Sequence, residues 1–412
     1  MRTTIMLDRL IRPKPSGGIP RGLSTTGPVL FSYGFRPFFL GAALWAIGAM
    51  VLWISALILG LDLAGNYGAA HWHAHEMLFG FSSAVLGGFL LTAIPNWTGR
   101  LPVSGGPLAG LFGLWVVGRI ALLSSGLIGL PVAAGIEALF LPVLLLICAR
   151  EVIVGRKWKD LKVIGGLVLL SAANICFHLS VLSDLDVDAA ARLAIGAYTM
   201  LIMIVGGRIV PSFTRNWLNK VGRTNFPVPY NRFDTAAILI GVAALAAWTF
   251  APDHIVTGTI ALVACAFHMV RLFRWRGWAT RPETLLFVLH AAYAFVPLGF
   301  LAVAAGAVEL LSEYPVMHVL TVGVIASMML AVMTRASRGH TGRPLVGSTL
   351  TTASYVAIMA AALIRPLAEV LPAHYHHLIA LSGVLWIAAF ALFALEYGPM
   401  LVCDRRSPRA SS

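Results

Sequence analysis

Residues 71–95 read HWHAHEMLFGFSSAVLGGFLLTAIP, and this stretch decides the fold. From Met77 to Pro95 it holds no charged side chain. Its length matches the roughly 20 apolar residues a helix needs to cross a bilayer. Three imidazoles (His71, His73 and His75) and the carboxylate of Glu76 stand at its start. Such groups are costly at the mouth of an apolar span. They are also the donor types that borderline transition metals and haem iron take.

The rest of the chain repeats the pattern. It has 412 residues, of which 58% are hydrophobic and 11% charged, and its mean hydropathy is +0.84. No soluble globular protein of this size has such a composition. Twelve apolar spans are expected, at 38–61, 72–95, 107–126, 131–153, 161–183, 188–211, 234–251, 254–273, 283–305, 315–335, 348–371 and 376–402. The fold class is therefore all-α, a polytopic membrane protein with about 12 transmembrane helices in a single domain over 31–403. Residues 1–30 are basic and lack the apolar core of a signal peptide, so they read as a cytoplasmic tail. Residues 404–412 read as a second one.

The net charge of +13 points to nucleic acid only if its placement is ignored. Basic residues gather in alternate loops, as at Arg156, Lys157 and Lys159, then Lys220 and Arg223, then Arg274, Arg276 and Arg281. The other loops are short and acidic, with Asp62, Asp184, Asp186 and Glu309. That asymmetry puts both termini in the cytoplasm and the His71–Glu76 run at the opposite face. No soluble basic domain remains to bind nucleic acid. The four cysteines form no CxxC pair, which argues against a disulfide framework.

An internal repeat runs through the chain. His75, Gly80 and Thr98-Gly99-Arg100 of span 2 match His318, Gly323 and Thr341-Gly342-Arg343 of span 10 at one common offset. Gly196 and Pro211 of span 6 match Gly80 and Pro95 in the same way. The simplest account is three copies of a four-helix unit, related by a pseudo-threefold axis along the membrane normal.

On a helix His71 and His75 share a face, while His73 points roughly 200° away. His73 then lines up with Met77, Gly80, Ala84 and Gly87. Such a strip would floor a porphyrin or let another helix approach closely. The repeat singles out His75, whose counterpart in register is His318; His71, at the aqueous rim, ranks last. His178 and His290 are also embedded in spans, whereas His268 lies toward the cytoplasm. Candidate metal ligands are thus His73, His75, His178, His290 and His318, with Glu76 orienting an imidazole from behind. Arg119, Arg192 and Arg365 break the charge rule, and each needs an anionic partner in low dielectric. Haem propionates, Glu76, Glu137 or lipid would serve.

Several segments together resemble the NnrS family. They are Phe31-Ser-Tyr-Gly-Phe-Arg36-Pro-Phe-Phe39, His71-Trp-His-Ala-His-Glu-Met77, Gly87 to Arg100, Gly206-Gly-Arg-Ile-Val-Pro-Ser-Phe-Thr214, Leu289-His-Ala-Ala-Tyr293 and Met333 to Arg343. The resemblance implies a bacterial inner-membrane protein with haem, of b type, and copper. It also implies a part in nitric oxide metabolism and resistance to nitrosative stress, with nitric oxide or a related small molecule as the partner. His73, His75, His318, Arg119, Arg192 and Arg365 would then surround the cofactor. The architecture also resembles the haem–copper oxidase superfamily, in which spans 2 and 10 carry haem ligands. Here span 10 has one histidine rather than two, span 6 has Ala191 at the repeat position, and span 7 lacks paired histidines. Copper must therefore be held differently, with His290, His178 and the spare imidazoles of span 2 as the donors in view. Two other functions fit the same residues. One is a transporter of a metal, a nitrosyl-iron species or a small anion. The other is a nitric oxide reductase drawing protons through Glu76, Glu137 and Glu313.

Overall fold

The computed structural model describes residues 27–406, and every regular element among them is helical. The two tails expected from the sequence fall mostly outside these residues. Twelve helices are long and apolar enough to cross a membrane. They are α1 (Phe35–Leu59), α2 (Ala69–Thr98), α3 (Gly106–Leu123), α4 (Leu130–Val154), α5 (Trp158–Leu182) and α6 (Asp188–Lys220). The second half has α7 (Arg232–Phe250), α8 (Ile255–Arg274), α9 (Thr284–Gly306), α10 (Glu313–His340), α11 (Thr349–Val370) and α12 (Pro372–Val402). The chain is a multi-pass, all-α membrane protein.

Helices α6 and α10 outrun their hydrophobic windows, ending at Lys220 and His340. Hydropathy marks where the bilayer ends, whereas the intrahelical hydrogen bonds continue through polar residues such as Arg215, Asn216 and Arg338. Helix α4 is broken just after Glu137, its second piece starting at Phe140. Pro142 offers no N–H to the carbonyl of Ala138 and its ring crowds that turn.

Consecutive helices are neighbours, and α1 packs against α12 to close the bundle. The three helices that the repeat makes equivalent, α2, α6 and α10, touch one another at the centre. Each of them carries a π-helical segment, at Glu76–Phe81, Ile202–Gly206 and Val319–Ala326. In α2 and α10 that segment begins directly after His75 and His318. Such wide turns re-aim the side chains that follow them and recur at functional sites.

Closure also depends on the segment that leads into α1. Arg36 is buried and donates from Nη1 to the carbonyls of Leu401 and Cys403, at 2.8 Å each. It thereby satisfies carbonyls at the end of α12 that have no intrahelical partner. The ring of His340 sits 5.5 Å from those of Tyr33 and Phe35. The segment leading into α1 is thereby tied to the ends of α10 and α12 at the basic face of the bundle. The histidine run lies at the acidic face, where α2, α6 and α10 begin.

Candidate functional site

Helix α2 opens onto two different polar regions near the acidic face. The first is a cavity of about 540 Å3 among α1, α2, α6, α10, α11 and α12. That volume falls in the range of roughly 300–1,000 Å3 typical of cofactor pockets. His71 and His73 reach it from α2, His318 from α10 and Arg365 from α11, beside apolar walls that include Met77, Phe81 and Trp386.

The imidazoles are held in a specific way. His71 donates from Nδ1 to the Tyr67 carbonyl at 3.2 Å, and His318 from Nδ1 to the Tyr314 carbonyl at 2.7 Å. A carbonyl only accepts, so the proton sits on Nδ1 and Nε2 keeps a free lone pair. This is the arrangement that prepares an imidazole for a metal. His73 stacks on Trp53, with ring centroids 4.5 Å apart and planes 13° from parallel, and its buried Nδ1 has no partner. Arg365 pairs with Glu369 at 2.8 and 2.9 Å, and both line the cavity.

The second region is a buried polar knot on the other side of α2. Glu76 accepts from Trp45 Nε1 at 2.6 Å and from Arg119 Nη1 at 2.5 Å. The other end of the Arg119 guanidinium binds Glu137 of α4. Glu137 Oε2 also meets His178 Nε2 at 2.8 Å, His75 Nε2 at 3.2 Å and Asn174 Nδ2 at 2.9 Å. His75 Nε2 donates to Asn174 Oδ1 at 2.9 Å. The outer nitrogens are engaged as well, Nδ1 of His75 by Glu76 at 3.3 Å and Nδ1 of His178 by the Tyr67 hydroxyl at 3.2 Å. His75 Nε2, His178 Nε2 and a Glu137 oxygen converge closely enough to hold a metal ion.

A model of the NnrS protein family matches residues 29–405, which takes in the cavity, the knot and all twelve spans. The chain belongs to the NnrS family. Membership brings with it a role in the response to nitric oxide. No curated protein matches the chain.

Set against the sequence, this NnrS-family structure separates residues that the pattern had joined. The register pair His75 and His318 is not a spatial pair, since His75 enters the knot and His318 the cavity. The strip expected below His73 is not one surface either. Gly80 faces Glu76 and Arg119, and Gly87 packs on Phe140 and Leu144. The cause is the π segment, which widens the turn so that His73, Met77 and Phe81, four apart, face the cavity instead.

Of the three arginines that break the charge rule, Arg119 is matched by Glu76 and Glu137 and Arg192 by Glu313. Protein carboxylates, rather than a cofactor, meet the need for an anion at both. Arg365 is the one of the three that lines the cavity. His178 joins the knot, while His290 stands apart, its Nε2 2.8 Å from Thr214 Oγ1 and its ring against Trp275. His268 is fully occupied by Tyr293 OH at 2.9 Å and the Ala237 carbonyl at 3.0 Å.

Sequence reasoning undervalued His71 and left out Asn174. The signal for His71 was present, because Tyr67 to His71 and Tyr314 to His318 are the same spacing at the starts of two equivalent spans. Glu137 stood alone as a charged residue across 130–149, but nothing in its span announced two histidine neighbours.

Proposed function

We propose that this chain is a haem-containing inner-membrane protein that binds or processes nitric oxide, with the haem seated in the cavity between α2 and α10. The observation that carries this reading is the matched pair His71 and His318. Each has its Nδ1 proton committed to a main-chain carbonyl four residues back, and each keeps Nε2 for a ligand inside one cavity. We assign that pair to the iron, with His73 packed on Trp53 beside them. The cavity's volume and largely apolar walls suit a porphyrin. Arg365, on the cavity wall, would serve a propionate only in exchange for its partner Glu369.

When bound, haem would supply one-electron chemistry, and a metal that nitric oxide can ligate in competition with one of the two imidazoles. The chain's own part is to orient the imidazoles, to exclude water with Met77, Phe81 and Trp386, and to keep the site within the bilayer, where an apolar gas concentrates. The charge asymmetry of the loops turns the basic face to the cytoplasm. Both termini then lie inside, and the cavity sits near the outer face. Copper, which the family resemblance also implies, needs donors outside this cavity.

The test is an optical spectrum of protein purified after haem-replete expression, with and without nitric oxide. A Soret band that shifts on adding the gas is expected. His318→Ala and His71→Ala should each lose most of the bound haem, and His290→Ala should keep it. A wild-type protein with no Soret band would sink this reading.

A further inference from the structure

A second, smaller cavity lies beneath the first. It measures about 70 Å3 and sits among α2, α5, α6 and α10. The three central helices pass from one cavity to the other within a turn. Ser82, Ile195 and Ile325 line the upper cavity. Val85, Tyr198 and Met328, three residues further along the same helices, line the lower chamber. Three residues are about 4.5 Å of helix, so the chamber is one turn deeper in the bundle, toward the basic face.

The chamber has a local cause. Ile202, Val205 and Gly206 line it from α6, and all three belong to the π segment Ile202–Gly206. The wide turn re-aims the side chains around it, and Gly206 has none to fill the gap. A Cβ built at Gly206 would find only ordinary contacts, at 3.9 Å from Ile202 and Tyr293. Protein interiors are otherwise close-packed, and an empty apolar volume lowers stability as it grows. The fold therefore carries a cost by keeping a void between its central helices.

The lining selects the occupant. Among the described residues that line the chamber, Tyr198 alone has a side-chain O–H or N–H. That hydroxyl is spent on the Leu78 carbonyl, at 2.9 Å, across the partition between the two cavities. A buried water needs about 2–4 polar partners, whereas a dry apolar cavity of about 150 Å3 takes benzene or xenon. At roughly half that volume, the chamber is too small for a porphyrin, a quinone or a lipid headgroup. It fits an apolar molecule of a few atoms.

We propose that the chamber is a binding site for a small apolar gas, nitric oxide above all, which it holds one turn from the haem cavity and supplies to it. Gas binding stands on the chamber alone; supply to the iron rests on the haem reading above.

The experiment has two arms and uses the full chain. Crystals are pressurised with xenon, and its anomalous scattering locates it. A xenon atom among Val85, Tyr198 and Met328 is expected in the wild type. Val85→Phe and Val332→Phe fill the chamber from α2 and α10, and each should lose that atom; melting temperature and haem content show that each is folded. A wild-type chamber without xenon, or one occupied by ordered water or a lipid chain, would overturn gas binding. So would xenon retained there in both variants.

In the second arm the nitrosyl haem protein is photolysed in detergent, and rebinding is followed optically. Gas returning from the chamber should give a slow geminate phase, and xenon, or either filling variant, should abolish it. Xenon seated in the chamber with rebinding unchanged would overturn the supply step. A chain that carries xenon there and no haem would sink the haem reading and leave the gas site standing.

Discussion

His73 and His75 sit two residues apart on α2 and end in opposite surroundings. His73 faces a cavity whose imidazoles are oriented by main-chain carbonyls or by stacking and keep nitrogens for a ligand. His75 faces a knot in which the side chains of α1 to α5 satisfy one another. The cavity draws its walls from all three four-helix units, whereas the knot ties the first unit to the start of the second. The difference teaches that the same residue type at the same depth can serve binding on one side of a helix and cohesion on the other. What separates them is whether the polar atoms are already paired.

The sharpest way to break this comparison is Arg119→Leu. It strips the cation from Glu76 and Glu137 and leaves two carboxylates buried together. Removing one partner of a buried ion pair costs about 3–5 kcal/mol. Little folded protein should reach the detergent-soluble fraction, as read by size-exclusion chromatography and thermal melting. A variant that melts like the wild type would erase the distinction between the two regions.

Gly80→Ala probes the knot more gently. The added Cβ would collide with the Glu76 carboxylate and the Arg119 guanidinium, and overpacking of this kind costs about 1–3 kcal/mol. The melting temperature should fall, while haem content, which depends on the other side of α2, stays at the wild-type level. A loss of haem without a loss of stability would mean that the two regions are coupled.

The smallest effect belongs to the cavity wall. Trp53→Leu removes the ring on which His73 stacks, an interaction worth about 0.5–1.5 kcal/mol. The haem spectrum should shift with little change in melting temperature. An unchanged spectrum would place His73 outside the haem environment and sharpen the assignment of His71 and His318.

Much of the fold is legible in the chain because crossing a bilayer is a local property. A run such as Met77 to Pro95 must be helical and must span, since no water is present to satisfy an open backbone. The alternation of basic and acidic loops is equally local. So is the matching of His75, Gly80 and Thr98-Gly99-Arg100 with their counterparts in span 10. The site is less legible. A wheel drawn on a regular α-helix put His73, Gly80 and Gly87 on one face, and the π turn at Glu76–Phe81 moved them apart.

Sequence alone thus determined the twelve helices, the two faces and the residues too costly to be idle. Only the tertiary structure decided which of those residues meet. Arg119 finds Glu137, and Glu137 finds His178, across helices whose order along the chain says nothing about their rotation. Rotation is set by packing at the central contact of α2, α6 and α10, and by the wide turn that each of these helices carries.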